Sequence, residues 1–213
     1  MTKIVKTEKF SRYEFKFLLN QKKADQIEKE IKNFMILDEN AIKMKNKKYF
    51  VRSLYFDTPE FSNFYEKVDG IKIRKKFRIR SYTNKKSKNS SYFLEMKGRK
   101  NQKTYKFRTP ILYNHLDYFL DKKKLMYLLK FYSKKNKVIN DFIYESFKKK
   151  LEPKVIVDYN RRPYINKYGL LFRLTFDTNL KSSSGNNLFE INKNFNFKEC
   201  VSGKTILELK FER

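Results

Sequence analysis

Apolar and charged residues alternate one by one in several segments of the chain. The clearest is KFRIRSY, residues 76–82, in which Phe77 and Ile79 alternate with Arg78 and Arg80. Because successive side chains of a strand point to opposite faces, a strand here carries its arginines on one face and its apolar residues on the other. The alternation therefore predicts a β-strand with one cationic face.

Seven further segments show alternation or an enrichment in β-branched and aromatic residues, which also predicts strands. The eight predicted strands cover residues 10–19, 49–57, 74–83, 91–97, 103–110, 154–164, 170–180 and 205–211. Two polar stretches, residues 84–91 and 182–187, are predicted to be solvated hairpin loops. Eight strands are enough to close a barrel.

Helical periodicity follows Asn20, a predicted N-cap, where Ala24, Ile27, Ile31 and Phe34 form one apolar stripe. Apolar stripes of this kind need an apolar surface to cover. The apolar faces of the strands supply such a surface. The sequence therefore predicts an α+β fold with helices packed outside the sheet.

A second helical region is predicted from about residue 113 to residue 150. Pro153 should stop it before the next strand. Its stripe residues are Leu125, Leu128, Leu129, Tyr132, Ile139, Phe142, Ile143 and Phe147. Since no repeat or linker is visible, the chain is predicted to form a single domain, residues 1–213.

Charged residues share one face in most of the predicted strands, and the acidic ones occur in E-x-K pairs. These residues are Glu14 and Lys16, Arg78 and Arg80, Glu95 and Lys97, Lys106 and Arg108, Arg161, Arg173, and Glu208 and Lys210. One interpretation is that these are the solvated faces of an antiparallel sheet, which is the commonest cause of such alternation. The other is that the helices cover the apolar faces, so that the charged faces point inward.

Inward-facing cations require a partner of opposite charge, because an uncompensated buried charge costs several kcal/mol. Phosphate oxygens meet Arg and Lys with short, charge-assisted hydrogen bonds. Carboxylates among such cations are suited to Mg²⁺ or Mn²⁺, which bridge phosphate oxygens. The second interpretation therefore predicts a polyphosphate-binding site with a divalent metal.

The overall charge favours a polyanionic partner. The chain has 51 Lys plus Arg against 23 Asp plus Glu, a formal net charge of +28. A single cysteine, Cys200, excludes an internal disulfide and a cysteine-based zinc site. A non-specific nucleic-acid binder should expose aromatic rings on its basic face, whereas here most aromatic residues alternate to the opposite face. We therefore expect no specific nucleic-acid partner.

The ordered motifs resemble those of a known family. RYEFKFLL, VRSLYFDTPEFSNFYEKVDG, RKKFRIRSY, YFLEMKGR, TYKFR, VDYNRRPY, LFRLTFDTNL and ILELKF follow one another along the chain. In this order they resemble the VTC domain, the polyphosphate polymerase branch of the triphosphate tunnel metalloenzymes, which is related to the CYTH domains. Each motif is weak alone, but eight in register are specific.

The resemblance implies an eight-stranded antiparallel barrel, or tunnel, in which the terminal phosphate of ATP is added to an inorganic polyphosphate chain. It also implies roles for individual residues. The phosphate-binding and catalytic residues would be Lys16, Arg78, Arg80, Lys97, Lys106, Arg161 and Arg173. Tyr159, Arg108 and Lys210 would bind substrate, and Glu208, Glu95 and Glu14 would bind Mn²⁺ or Mg²⁺.

Alternatives to the polymerase remain open in the sequence. A tunnel triphosphatase would use the same residues but transfer the phosphoryl group to water, and a non-catalytic module would bind the polyanion only. The start of the chain lacks an apolar stretch typical of a signal peptide. The expected location is therefore cytoplasmic, with a peripheral position at the inner face of a membrane and a membrane-protein partner as further expectations.

Overall fold

The structure is a computed structural model that describes residues 13–101, 103–133, 135–169, 172–189 and 195–211. The strands are β1 Tyr13–Asn20, β2 Met35–Leu37, β3 Tyr49–Asp57, β4 Ile73–Ser81, β5 Tyr92–Lys100, β6 Lys103–Ile111, β7 Glu152–Asn166, β8 Phe172–Ser184, β9 Lys198–Glu199 and β10 Lys204–Phe211. The helices are α1 Gln21–Ile31, α2 Glu39–Ile42, α3 Ser62–Val68, α4 Leu116–Leu120, α5 Leu128–Phe131 and α6 Lys137–Lys148. Each predicted strand has an observed counterpart, and residues 10–12 and 170–171 of the predictions lie outside the described residues.

The chain divides into two compact units. The first consists of the described parts of Arg52–Ile156 and Ser183–Asn196. The second consists of the described parts of Ser11–Val51, Val157–Ser182 and Phe197–Arg213. The prediction of one domain stays a prediction.

In the first unit, β3, β4, β5 and β6 form consecutive antiparallel pairs. The register places Arg78 of β4 opposite Tyr55 of β3 and opposite Glu95 of β5. Glu95 in turn lies opposite Arg108 of β6. The predicted cationic face of KFRIRSY therefore carries a carboxylate from the neighbouring strand.

The apolar face of these strands is covered by helix α6. Phe142 of that helix packs its ring against the rings of Phe56, Phe77 and Phe119, at centroid distances of 4.9, 5.4 and 5.8 Å. Asn136 caps the helix by accepting a hydrogen bond from the backbone N–H of Ile139. The prediction that helices pack on the apolar side of the strands is confirmed for this unit.

In the second unit, the strands are ordered β1, β10, β8 and β7, with β2 paired to β7 and β9 paired to β8. Helix α1 covers their apolar face, and Asn20 caps it as predicted by accepting from the N–H of Lys23. The buried core consists of Ala24, Ile31, Met35, Tyr164, Leu174, Phe176 and Leu207. Phe34, predicted in the stripe, lies beyond the end of α1 and is exposed.

The strand pairing shows that the prediction of a closed barrel is wrong. The described residues form ten strands, and the hydrogen-bonded path ends at β6 in the first unit and at β1 in the second. The described residues contain no ladder beyond either strand, so the sheet does not close into a ring. Alternation predicts which residues share a face, but it contains no information on whether terminal strands meet.

Two local predictions also change. The region 113–150 is not one helix but α4, α5 and α6, joined by short 3₁₀ turns and extended residues. Leu129 and Phe147, two of its predicted stripe residues, are exposed. The predicted loop 84–91 is confirmed, whereas the first residues of the predicted loop 182–187 belong to β8.

No described helix is long and apolar enough to cross a membrane.

Replacing Phe142 with Ala should lower the free energy of unfolding by about 3–5 kcal/mol, because the ring is fully buried and leaves a cavity. Denaturant unfolding followed by circular dichroism measures the change. Tyr144→Ala in the same helix is the control, because Tyr144 is exposed and its loss should cost less than about 0.5 kcal/mol. Equal losses for the two variants would contradict the assignment of Phe142 to the core.

Candidate functional site

Each unit has a carboxylate buried among cations on the sheet face opposite its helices. In the first unit we define the Glu95 cluster as Glu95, Arg78, Arg80, Lys106 and Arg108. In the second we define the Glu208 cluster as Glu208, Glu14, Lys16, Lys210, Arg161 and Asp177. The central carboxylates are 1% and 3% exposed, which excludes a freely solvated polar face around them.

Glu95 contacts cations through both of its oxygens. The Nη2 of Arg78 lies 2.7 Å from Oε2, and the Nζ of Lys106 lies 2.7 Å from Oε1. The Nε atoms of Arg80 and Arg108 approach at 3.7 and 3.6 Å. Alternation and register together produce this arrangement, because β4, β5 and β6 present these residues on one face.

Burial and the neighbouring charges shift the pKa values of this cluster. Burial by itself raises the pKa of Glu95, but Arg78, Arg80 and Lys106 outweigh it and hold that pKa well below its usual range. Burial also lowers the pKa of Lys106 to about 7, a change that Glu95 opposes and the two arginines reinforce. The carboxylate is therefore ionised at neutral pH, while Lys106 is close to its midpoint.

The structure adds a tyrosine that the sequence interpretation missed. The hydroxyl of Tyr55 accepts a hydrogen bond of 2.6 Å from Nη1 of Arg78, while the Nε of that arginine donates to Glu95 at 2.8 Å. The sequence does indicate that Tyr55 lies on the polar face of its strand, because Ser53, Tyr55 and Asp57 alternate with apolar residues in the predicted strand 49–57. The guanidinium of Arg78 is therefore fixed from two sides.

Cations continue along β4 beyond the Glu95 cluster. Arg74, Lys76, Arg78 and Arg80 occupy alternate positions of the strand and therefore one face. Lys76 lies opposite Lys97 of β5, which lies opposite Lys106 of β6, and Arg74 lies opposite Arg99. We call Arg74, Lys76, Lys97 and Arg99 the cation ladder. Like charges placed directly opposite each other destabilise a sheet, so this surface is suited to an anionic ligand.

In the second unit, Glu208 lies between lysines of its own and the adjacent strand. Its carboxylate is 3.3 Å from the Nζ of Lys16 on β1 and 2.9 Å from the Nζ of Lys210 on β10. Lys16 also lies 3.5 Å from Glu14. The register pairs Lys16 with Glu208 and Glu14 with Lys210, so both E-x-K motifs contribute to one cluster.

Arg161 is the most enclosed cation of this cluster. Its Nε and Nη2 donate to Asp177 at 2.7 and 2.6 Å, and Nη2 also lies 3.3 Å from Glu208. Its guanidinium lies 5.1 Å from the centre of the Tyr159 ring. Burial by itself lowers the pKa of Arg161, but Tyr159, Asp177 and Glu208 outweigh it and raise that pKa well above the usual value.

The two central groups of this cluster also have shifted pKa values. Burial raises the pKa of Glu208, but a hydrogen bond with Glu14 and the charges of Lys210, Arg161 and Lys16 hold it far below its usual range. Burial lowers the pKa of Lys210 to about 8, against the opposing effect of Glu208. Glu208 is therefore ionised at neutral pH.

The structure brings most of the predicted residues into the two clusters, with three exceptions. Tyr159 lies outside both, although its ring is beside Arg161. Arg173 pairs with Asp38 at 3.2 Å, although it lies opposite Lys210 in the ladder between β8 and β10. Lys97 belongs to the cation ladder and is exposed. Sequence interpretation missed Asp177, although its alternation with Arg173 in LFRLTFDTNL places both on one face.

The carboxylates differ in how well they fit a divalent metal. The described residues contain no group of three or more His, Cys, Asp or Glu arranged to hold a metal ion. Glu14 and Glu208 nevertheless share the ammonium of Lys16, at 3.5 and 3.3 Å. Two carboxylates suit Mg²⁺, which commonly takes its other ligands from phosphate and water. Glu95 is contacted by four cations, so its predicted metal role fits the geometry less well.

The protein therefore has an α+β fold, and its antiparallel strands place several cations around each of two buried carboxylates. The chain matches the VTC domain family over residues 11–213. It belongs to that family, which confirms the resemblance seen in the sequence. No curated protein matches the chain.

Two solved structures share this fold. One is a candidate adenylate cyclase from Bacillus halodurans, with 11% identity and a TM-score of 0.55 over 96% of this chain and 83% of that chain. Another is the candidate adenylyl cyclase HpAC1 from Hippeastrum, described as having a dominant triphosphatase activity, with 15% identity and a TM-score of 0.51 over 96% of this chain and 80% of that chain. At these identities the comparisons show the fold alone.

Replacing Glu95 with Gln should lower the free energy of unfolding by about 3 kcal/mol or more, because it leaves the surrounding cations without their buried anion. The folded-state pKa of Glu95 lies below its ordinary value of 4.5, so its stabilisation is present above that pH and is lost as the pH falls. Urea unfolding measured between acidic and neutral pH should therefore give a flatter profile for the variant.

The control for this measurement is Glu199→Gln. Glu199 is exposed and lies 3.9 Å from Lys181, so its replacement should change stability little. If Glu95→Gln were as stable as the wild type at neutral pH, the carboxylate would not be the neutralising centre of its cluster.

Proposed function

We propose that the protein is an ATP-dependent polyphosphate polymerase that transfers the γ-phosphate of ATP to a growing inorganic polyphosphate chain. The observation that carries the proposal is the cation ladder beside the Glu95 cluster. Its cations continue along β4 and face cations of β5, with Lys76 opposite Lys97 and Arg74 opposite Arg99. Membership of the VTC domain family supports the same activity.

Phosphate chains match the chemistry of both clusters. Arg78, Arg80, Lys106 and Arg108 supply guanidinium and ammonium donors, which bind phosphate oxygens with charge-assisted hydrogen bonds. Lys16, Arg161, Lys210 and Arg173 supply the same groups in the second unit. Phosphoryl transfer depends mainly on positioning and electrostatic stabilisation, so these cations do not need an activated side-chain nucleophile beside them.

The length of the cationic face favours a polymer over a triphosphate alone. From Arg80 to Arg74 the face extends six residues along β4, about 20 Å at the rise of an antiparallel strand. A chain of three phosphates is shorter than this distance. We therefore assign the Glu95 cluster to the reacting phosphates and the cation ladder to the growing chain.

The proposed transfer conserves atoms and charge. A terminal oxygen of the polyphosphate chain forms a bond to the γ-phosphorus of ATP, and the bond from that phosphorus to the β–γ bridging oxygen breaks. ADP leaves with the bonding electron pair, and the polymer is one phosphate longer. Arg78 and Arg80 would stabilise the charge on the transferred group, because Glu95 and Tyr55 hold Arg78 in a fixed orientation.

Divalent metal ions are generally used by proteins of this fold family. Mn²⁺ or Mg²⁺ would be held by Glu208, with Glu14 as a second carboxylate. Such an ion would neutralise charge on the phosphate oxygens when bound. Lys16 and Lys210 flank the two carboxylates and would orient the phosphate oxygens that such an ion contacts.

A triphosphatase is the second candidate, and the dominant triphosphatase activity described for HpAC1 favours it. In that reaction water, rather than the polymer, accepts the phosphoryl group. A module that binds polyphosphate without turnover is the third. The three differ in their products, so one assay separates them.

Purified protein incubated with ATP and Mn²⁺ should produce long-chain polyphosphate with little free phosphate. Gel electrophoresis of the polymer and colorimetric phosphate measurement follow the two products. Free phosphate alone would indicate the triphosphatase, and the absence of both products would indicate a binding module.

Glu208→Gln should abolish metal-dependent turnover, and normal turnover in that variant would refute the metal assignment.

The double replacement of Lys76 and Lys97 with Gln tests the cation ladder. Affinity for long-chain polyphosphate should fall about tenfold, because two phosphate contacts are lost, whereas affinity for tripolyphosphate should change little. Binding is measured by competition against a labelled polyphosphate. The matched control is Lys43→Gln with Lys45→Gln, which removes the same charge from exposed positions. Equal losses for both ligands would contradict a separate role for the ladder in chain binding.

A further inference from the structure

A second surface of the first unit combines exposed aromatic side chains with lysines. Leu125 and Leu128 are buried and anchor the segment from α4 to α5. Their spacing of three residues turns the intervening and following side chains outward. We define the α5 patch by its exposed residues, which are Lys122, Met126, Tyr127, Lys130, Phe131 and Phe147.

Side-chain contacts join most members of the patch in two groups. The ammonium of Lys130 lies 5.1 Å from the ring centre of Tyr127, and that of Lys122 lies 5.9 Å from the ring centre of Phe147. Tyr118 joins two members, with ring-centre distances of 6.2 Å to Tyr127 and 5.4 Å to Phe131. Each group therefore places a lysine beside an aromatic ring.

The patch combines exposed apolar side chains with positive charge. Met126, Tyr127, Phe131 and Phe147 are 44–51% exposed, so the patch presents four large apolar side chains as well as its lysines. The acidic residues beside the patch do not cancel its charge. Asp121 pairs with Lys124, and Asp117 pairs with Lys86.

We propose that the α5 patch docks the protein on the surface of an anionic lipid bilayer. Aromatic rings occupy the headgroup region of a membrane, and neighbouring lysines attract anionic headgroups. The two lysines of the patch favour lipid headgroups over a protein partner, because lysine is depleted at protein interfaces. The patch shares no residue with the Glu95 cluster or the Glu208 cluster, so replacements in the patch leave both clusters intact.

Vesicle binding tests the proposal. The full chain should sediment with vesicles of mixed phosphatidylcholine and phosphatidylglycerol and not with phosphatidylcholine alone. The double variant Met126→Ser with Phe131→Ser should reduce the partition coefficient at least about tenfold without changing the charge. The control Tyr168→Ser removes a still more exposed aromatic residue elsewhere and should bind like the wild type.

The outcomes separate local docking from general attraction by a basic protein. If the double variant binds as strongly as the wild type, attraction spread over the whole surface explains the binding and the proposal is wrong. A loss of self-association in the same variant, measured by analytical ultracentrifugation without lipid, would assign the patch to a second copy instead. ATP turnover in solution should be unchanged, so failure here is distinguishable from failure of the proposed function.

A reporter for insertion is available because the chain contains no tryptophan. Tyr127→Trp places a single indole in the patch, and Tyr168→Trp places one outside it. Brominated lipids should quench the fluorescence of the first variant and leave that of the second unchanged. Equal quenching, or none for Tyr127→Trp, would overturn the proposal.

Discussion

The structure depends on two carboxylates held ionised in almost complete burial. Glu95 and Glu208 would be costly to bury alone, and the cations around each of them would be costly without it. The strands place these groups in register, so each charge is partly neutralised before any ligand binds. What remains is an excess of positive charge, because each carboxylate contacts several cations. That excess is the basis of the proposed phosphate binding.

The helices make this arrangement compatible with a stable core. Alternation divides each strand into an apolar and a charged face, and α1 and α6 cover the apolar faces in their respective units. The charged faces therefore do not contribute to the apolar packing. A replacement such as Phe142→Ala acts on stability, whereas one in the cation ladder acts on ligand binding, because different faces carry the two roles.

Much of this could be predicted from the sequence, because the strand period is fixed and alternation shows which residues share a face. The E-x-K pairs around Glu95 and Glu208 were found in this way. The acidic partners of Arg161 and Arg173 could not be predicted in this way. Their contacts with Asp177 and Asp38 depend on how segments distant in the chain lie together. Strand closure and the break of region 113–150 into short helices also depend on packing that periodicity does not encode.

Proton uptake on tripolyphosphate binding tests the central claim most directly. The pKa of Lys106 is lowered to about 7, and a bound phosphate beside it should raise that value, so binding above pH 7 should draw protons from the buffer. Calorimetric titrations in two buffers of different ionisation enthalpy measure this uptake. We predict that Lys106→Arg, which stays charged, takes up fewer protons than the wild type. Equal uptake by the two proteins would contradict phosphate binding at the Glu95 cluster.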